Sequence, residues 1–325
     1  MIRLILNSLL LKIKRPGGQV VDGFLNINKP AGVTSFAIVA TVKRLTGERH
    51  VGHAGTLDPL AIGVLPVCLG QATRVIEFLF EATKVYRTRI ELGVATDTYD
   101  AGGKVLARRD VTGITREKVE AVLSNFRGEI KQIPPMYSAI KHRGQPLYKM
   151  ARSGIVIARP SRTVRIEKLD LIAWEPPFIT LEVVCSKGTY IRSLAHDIGE
   201  VLGCGANMNS LVRIRVGPFS IEEALTMPQI EEIARLGRWD QYLHPLDYVL
   251  MDFPMLIVNR EQQCRLVNGA PVPVETAVEG EGVGTRTLYR AYGEDGTFLG
   301  IVKYEAINQH WQPEKIFRRD LCEYS

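Results

Sequence analysis

Short period-two runs and short stretches of helical spacing follow one another along this chain without a repeating strand–helix–strand beat. That irregular order is what most limits its fold. Phe24-Leu25-Asn26-Ile27 alternates as a strand beginning near Gly23, and Lys29-Pro30-Ala31-Gly32 reads as a turn. Thr34 or Ser35 can then cap a helix on which Phe36, Val39, Ala40 and Lys43 share one face, stopped by Gly47. Tyr86 to Leu92 alternates as a half-exposed strand. Thr115 opens a second helix, with Val119, Val122, Leu123 and Phe126 at core spacing and Gly128 past its end. Leu181 to Cys185 is a strand, Gly188 turns the chain toward Tyr190, and a third helix runs from about Ser193 to Leu202 before Gly203. A doubly wound domain needs strict alternation of strand and helix, so this order predicts a mixed α+β domain instead.

From about residue 250 the texture changes. Leu256-Ile257-Val258, Thr287 to Tyr292 and Phe298 to Val302 read as short strands, with Gly293-Glu294-Asp295-Gly296 as a hairpin turn, and together they predict a small β-barrel. A chain of 325 residues has room for this division. The expected parts are a disordered extension over 1–22, a large domain over 23–248 and a small one over 249–325. Charge follows the same boundary. The net charge is +6, but residues 249–325 hold 8 Lys+Arg against 11 Asp+Glu, which leaves +9 on the first 248. Gly280 to Gly284 lacks the strand–helix context of a phosphate loop and reads as a plain loop. The five cysteines are scattered, without metal-ligand spacing, and predict free thiols in a reducing cytoplasm. No apolar stretch is long enough to span a bilayer. The apolar start lacks a small-residue cleavage site and is followed by Lys12, Lys14 and Arg15. It therefore reads as a dispensable extension or an early start codon, not as a secretion signal.

Two stretches carry chemistry. Asp58 is the only carboxylate between Glu48 and Glu77, set in Gly52-His53-Ala54-Gly55-Thr56-Leu57-Asp58-Pro59-Leu60-Ala61-Ile62-Gly63. An acid among aliphatic side chains is costly to bury unless a cation or hydrogen bonds compensate it. It is either a turn aspartate capping its own backbone or a nucleophile presented from a stiff turn, and its own segment leaves both open. Between Glu129 and Glu167 there is no acid at all, against eight basic residues: Lys131, Lys141, Arg143, Lys149, Arg152, Arg159, Arg162 and Arg165. Clustered cations with Tyr137 and Tyr148 interleaved suit phosphates and unpaired bases, so this run predicts a nucleic-acid partner. A second acid-free run, Asn207 to Ser220, holds Arg213 and Arg215 and points the same way. His50, His53 and the pair His196-Asp197 lack a third ligand at recognisable spacing, which argues against a metal.

Taken together, Gly52 to Ala61 resembles the catalytic motif of the TruB family, the bacterial tRNA pseudouridine-55 synthases. Asn28-Lys29-Pro30-Ala31-Gly32 resembles the family's first motif, and Thr96-Asp97-Thr98-Tyr99-Asp100 its acidic turn. Pro135-Met136-Tyr137-Ser138-Ala139-Ile140-Lys141 is similar to its RNA-clamping insertion, and Ser186 to Ser193 to its third catalytic motif. The likeness runs in order through residues 23–220. The segment ending in Pro313-Glu314-Lys315-Ile316-Phe317 is similar to the family's PUA-like domain, while Ile62 stands where the family commonly has Thr.

The resemblance implies a pseudouridine synthase fold: α+β, with a mixed, mainly antiparallel sheet and flanking helices, plus a small C-terminal PUA-like β-barrel. It implies isomerisation of uridine-55 in the T-loop of tRNA, with the base flipped out and the C1′–N1 bond exchanged for C1′–C5. No cofactor and no metal are expected. Asp58 is implied as the essential carboxylate, Arg192 as its partner, Asp100 as the group holding Arg192, and Tyr86 as the ring that stacks on the base. The partnered arginine is expected to lower the Asp58 pKa and to offset part of its burial cost. Tyr190 and Leu211 are implied to line the pocket, His53 to fill the space the base vacates, and Lys29 and Lys141 to bind substrate. The implied setting is a cytoplasmic monomer that recognises the tRNA T-arm without membrane or obligate protein partner.

Overall fold

A nine-stranded sheet organises most of what this computed structural model describes, residues 22–274 and 288–317. The expected extension up to Val21, the stretch 280–284 and Thr287 lie outside the described residues. In chain order the strands are β1 (Gly23–Lys29), β2 (Val51–His53), β3 (Ile62–Leu69), β4 (Lys84–Leu92) and β5 (Gly128–Gln132), then β6 (Arg162–Glu175), β7 (Phe178–Cys185), β8 (Ala206–Val216) and β9 (Phe219–Ser220). They pair in the order β1-β3-β8-β4-β7-β6-β5, with β2 on β3 and β9 on β8. Every pairing is antiparallel except β3 with β8. That parallel contact depends on Gly63, at φ 106, where a Cβ would lie 2.3 Å from the Arg213 carbonyl oxygen. β3 is buried along nearly its whole length, which is why it reads as one apolar run and not as an alternation.

The helices are α1 (Ser35–Thr46), α2 (Ile76–Glu81), α3 (Arg116–Ser124), α4 (Leu147–Arg152), α5 (Ile191–Leu202), α6 (Met227–Leu236) and α7 (Arg260–Val267). α1 is capped by Thr34 and closed by Gly47 in the left-handed region, as the sequence predicts. Its buried face is not the predicted one. Ser35, Ile38, Val42 and Thr46 face the core, and Phe36 is 77% exposed. Two hydroxyl residues on the inner face disguise it in a hydropathy reading. α3 is capped by Thr115 and buries Val119 and Leu123; it ends at Asn125, and Gly128 already opens β5. α5 buries Leu194, Ala195, Ile198 and Leu202 in a core shared with β4, β6, β7 and β8. Each large aliphatic side chain there contributes roughly 1.5–3 kcal/mol.

The C-terminal part is a curled five-stranded half-barrel. Its strands are β10 (Met255–Val258), β11 (Val272–Pro273), β12 (Leu288–Gly293), β13 (Phe298–Glu305) and β14 (His310–Ile316), paired in the order β10-β12-β13-β14-β11. Leu266 and Val267 of α7 join its core. It is tied to the large sheet's side by Arg74, which donates to the Ile316 carbonyl at 2.8 Å and lies 4.7 Å over the Phe317 ring. Cys68, Cys185 and Cys204 are free and buried, whereas Cys264 is disulfide-bonded, contrary to the expectation of free thiols throughout.

Candidate active site

The loop between β2 and β3 is fastened from below before it presents anything. Ser35, buried at the first turn of α1, accepts from the Leu57 N–H at 2.9 Å and donates to the Leu57 carbonyl at 3.2 Å. Gly32 N–H donates to the Pro59 carbonyl at 2.8 Å, and Ala61 N–H to that of Asp58 at 3.1 Å. Lys29 is fully buried, and its ammonium donates to the carbonyls of Pro30, Val33 and Pro59 at 2.9, 2.7 and 3.4 Å. Three acceptors match its three donors, so Lys29, which the resemblance implies to bind substrate, here stitches the first turn to the loop. Burial lowers it to about 8, with Asp58 opposing and Arg213 adding to the shift. Leu57 and Ala61 are buried on either side of Asp58, whose side chain stays 37% exposed.

Arg192, 5% exposed on the first turn of α5, meets that carboxylate. Its Nη2 donates to Asp58 Oδ1 at 3.2 Å, and its Nε lies 2.9 Å from Oδ2 as an ion-pair contact without hydrogen-bond geometry. Nη1 lies 3.5 Å from Asp100 Oδ2 and donates to the Thr98 carbonyl at 3.4 Å; Nη2 also donates to the Tyr137 carbonyl at 2.8 Å. Asp100 is held by the Thr98 hydroxyl at 2.7 Å and the Gly102 N–H at 3.1 Å, both on Oδ1. Burial pushes the Asp58 carboxyl above its ordinary range, Arg192 pulls it down and Asp100 pushes it up. Arg192 thus lowers the pKa and offsets part of the burial cost, as expected, but loss of water outweighs it and the net direction is upward.

Tyr86 on β4 packs against the cluster that holds Leu57, Ala61 and Leu211. Its phenol is raised above its ordinary value by burial, against the pull of Arg213, its cross-strand partner on β8. Arg213, which belongs to the acid-free run that points to a nucleic-acid partner, is 1% exposed and so not available to phosphates. It donates to the carbonyls of Val64 at 2.7 Å and Gly55 at 2.9 Å, joining the Asp58 loop to Tyr86. Tyr190, the N-cap of α5, is held by buried Gln132, which accepts from its N–H at 2.8 Å and donates to its carbonyl at 3.0 Å. The Arg162 guanidinium lies 4.5 Å over the Tyr190 ring. His53 contacts the Thr56 hydroxyl at 3.1 Å in the same loop, and burial lowers its pKa. Nothing in the sequence marks Ser35, Gln132 or Arg213 for these roles; each binds main chain, which leaves no motif.

Asp58, Arg192 and Asp100 thus converge, Tyr86 lies within electrostatic reach of Asp58, and His53 stands at the loop's start. Lys141 lies apart on an exposed hairpin, 141–146, of the basic insertion. No ion pair among the described residues engages any of the eight basic residues between Glu129 and Glu167. The insertion is nonetheless docked: Pro134, Pro135 and Met136 are buried, and Tyr137 supplies its carbonyl to Arg192. Among the described residues no group of three or more His, Cys, Asp or Glu is placed to hold a metal ion.

A solved Cbf5 chain in a Cbf5-Nop10-Gar1 complex is similar to this chain at TM-score 0.70 and 27% identity, over 93% of this chain and 87% of that one. A chain from an H/ACA RNP bound to a substrate RNA containing 2'-deoxyuridine is similar at TM-score 0.70 and 25% identity, with the same coverage. The fold is that of the pseudouridine synthases. Sequence models of the TruB family pseudouridylate synthase N-terminal domain and of the tRNA pseudouridylate synthase B C-terminal domain match residues 43–191 and 192–251. The tRNA pseudouridine synthase B of Dehalococcoides mccartyi is 42% identical over 92% of this chain and 97% of its own. That of Ectopseudomonas mendocina is 45% identical over 86% of this chain and 90% of its own. The chain belongs to the TruB family.

Proposed function

We propose that the chain is a stand-alone tRNA pseudouridine synthase that converts uridine-55 of the T-loop to pseudouridine. The observation that carries this reading is the buried Arg192 guanidinium, which spans Asp58 on one side and Asp100 on the other. One carboxylate is thereby oriented toward the substrate, for which Tyr86, Leu211 and Tyr190 are taken to line the pocket, and the second anchors the cation. Ionised Asp58 acts at C1′, at the base, or by deprotonating the ribose. The C1′–N1 bond breaks, the uracil turns, and C1′–C5 forms; the hydrogen leaving C5 is balanced by one arriving at N1. No electrons are gained or lost, so the exchange needs no redox cofactor. The base must leave the stack, at a cost of about a few kcal/mol, before Tyr86 can receive it, and His53 occupies the space left.

The relatives named tRNA pseudouridine synthase B support the substrate class. Lys141 and the other unpaired cations of the insertion fit the phosphates of a folded arm, read by shape. We take residues 23–248 as the catalytic unit, including the insertion over 130–165, followed by the PUA-like half-barrel. The protein then works as a monomer in the cytoplasm. A guide-dependent mode is the second reading, favoured by the likeness to Cbf5 in complexes with Nop10 and Gar1. One experiment tests both: the purified chain is incubated with an unmodified tRNA transcript and pseudouridine is mapped. A single pseudouridine at position 55 is expected. Pseudouridine elsewhere would overturn the assigned position, and none without added protein or RNA would overturn the stand-alone mode.

A further inference from the structure

α5 carries a second planar side chain one turn beyond Arg192. His196 follows Arg192 by four positions, so the two project from one face of the helix. Its imidazole lies flat on the Tyr99 ring, with centroids 3.9 Å apart and planes 8° from parallel. His196 Nδ1 is buried without a hydrogen-bond partner, so what this residue offers Tyr99 is a face and not a proton. Tyr99 is the residue before Asp100, and it sits at φ 64, a left-handed conformation that a bulky side chain keeps only when its surroundings hold it.

Those surroundings are visible. Met208 N–H donates to the Tyr99 carbonyl at 2.9 Å, and Ala101 N–H donates to the Met208 carbonyl at 3.0 Å, which hangs the turn on β8. Gly103 lets the turn close, since a Cβ there would meet the Thr98 hydroxyl at 2.2 Å. That hydroxyl donates to Asp100 Oδ1, which leaves Oδ2 turned toward Arg192 Nη1. The backbone is thus pinned from the sheet side, and the only ring stacked on Tyr99 among the described residues is His196.

We propose that His196 is a positioning residue: stacked on Tyr99, it clamps the left-handed turn that presents Asp100 to Arg192, and so sets Arg192 against Asp58. The proposal rests on the reading of Asp58 and Arg192 as the reacting centre. Displacing a catalytic group by about 1 Å costs up to roughly a hundredfold in rate, and loosening a clamp two contacts away is expected to cost roughly tenfold.

The test compares His196→Ala, His196→Phe and His196→Leu on a tRNA transcript, with tRNA affinity measured separately. Alanine is expected to lower kcat roughly tenfold with affinity and KM unchanged, phenylalanine to restore it, and leucine not to. On an Asp100→Asn background the alanine loss is expected to vanish, because the clamp acts through Asp100. The Arg192 Nε–H resonance of the free protein reports the same contact without turnover, moving in His196→Ala and holding in His196→Phe. Wild-type kcat in His196→Ala, equal rescue by leucine, or an undiminished loss on the Asp100→Asn background would each overturn the clamp. Lack of turnover by the unsubstituted chain counts against the Asp58 reading instead, and the resonance still decides the clamp.

Discussion

Arg192→Met keeps the length and packing of the side chain and removes its charge, which isolates what the guanidinium contributes. Arg192 is 5% exposed and faces Asp58 and Asp100, whose side chains are 37% and 11% exposed. Removing one partner of a buried ion pair costs about 3–5 kcal/mol, because the other charge is stranded. Solvent screens the Asp58 side of the cluster, so the low end, about 3 kcal/mol, applies. The sign of the pH dependence follows from the structure. Burial already holds Asp58 above its ordinary range, and Arg192 is the cation opposing that shift. Without it, folded Asp58 binds its proton more tightly still, so the loss of stability is largest at high pH and shrinks as pH falls through the raised value. Urea unfolding at two pH values, about pH 8 and the lowest at which both proteins stay folded, measures this. The gap between wild type and variant is expected to be about 3 kcal/mol at the first and clearly smaller at the second. Arg192→Met/Asp100→Asn is expected to recover part of the loss at the higher pH. An equal gap at both pH values would refute the electrostatic account and leave only lost packing.

Ser35→Ala strands the buried N–H and carbonyl of Leu57; about 1–3 kcal/mol per unsatisfied group is expected to appear in the urea midpoint, together with a lower kcat. An unchanged midpoint would show that the loop is held by other means. The acid limb of kcat/KM is expected to titrate above the ordinary aspartate value of 3.8, since the proposed reaction uses ionised Asp58 and burial raises it. A limb at or below that value contradicts the assignment of the titrating group. Lys141→Ala and Lys149→Ala are each expected to weaken tRNA binding and to reduce its salt slope by about one. A slope unmoved by both substitutions removes this part of the insertion from the phosphate contacts.

What the sequence made legible were features with local signatures. Thr34, Thr115, Gly47 and Gly203 mark helix ends because capping is decided within one turn. The lone acid Asp58 and the acid-free insertion stand out because charge is read from composition. What stayed hidden depends on distant partners. The inner face of α1 contains Ser35 and Thr46, and Ser35 is there because Leu57, twenty-two positions on, needs its hydroxyl. Arg213 looks like a surface cation until the carbonyls of Val64 and Gly55 appear beside it. Gln132 binds the backbone of Tyr190 and has no motif at all. The net direction of the Asp58 shift stays hidden for the same reason: the arginine that lowers it is recognisable in the motif, but the depth of burial that outweighs it is a property of the packed loop.

The central claim is that the ionised carboxylate of Asp58 drives the exchange at the uracil ring. Asp58→Asn keeps the shape of the side chain and abolishes its charge. The decisive measurement is tritium release from tRNA labelled at uracil C5, alongside the affinity of the same tRNA for the variant. Release abolished with binding retained is the predicted result; release at the wild-type rate would contradict it.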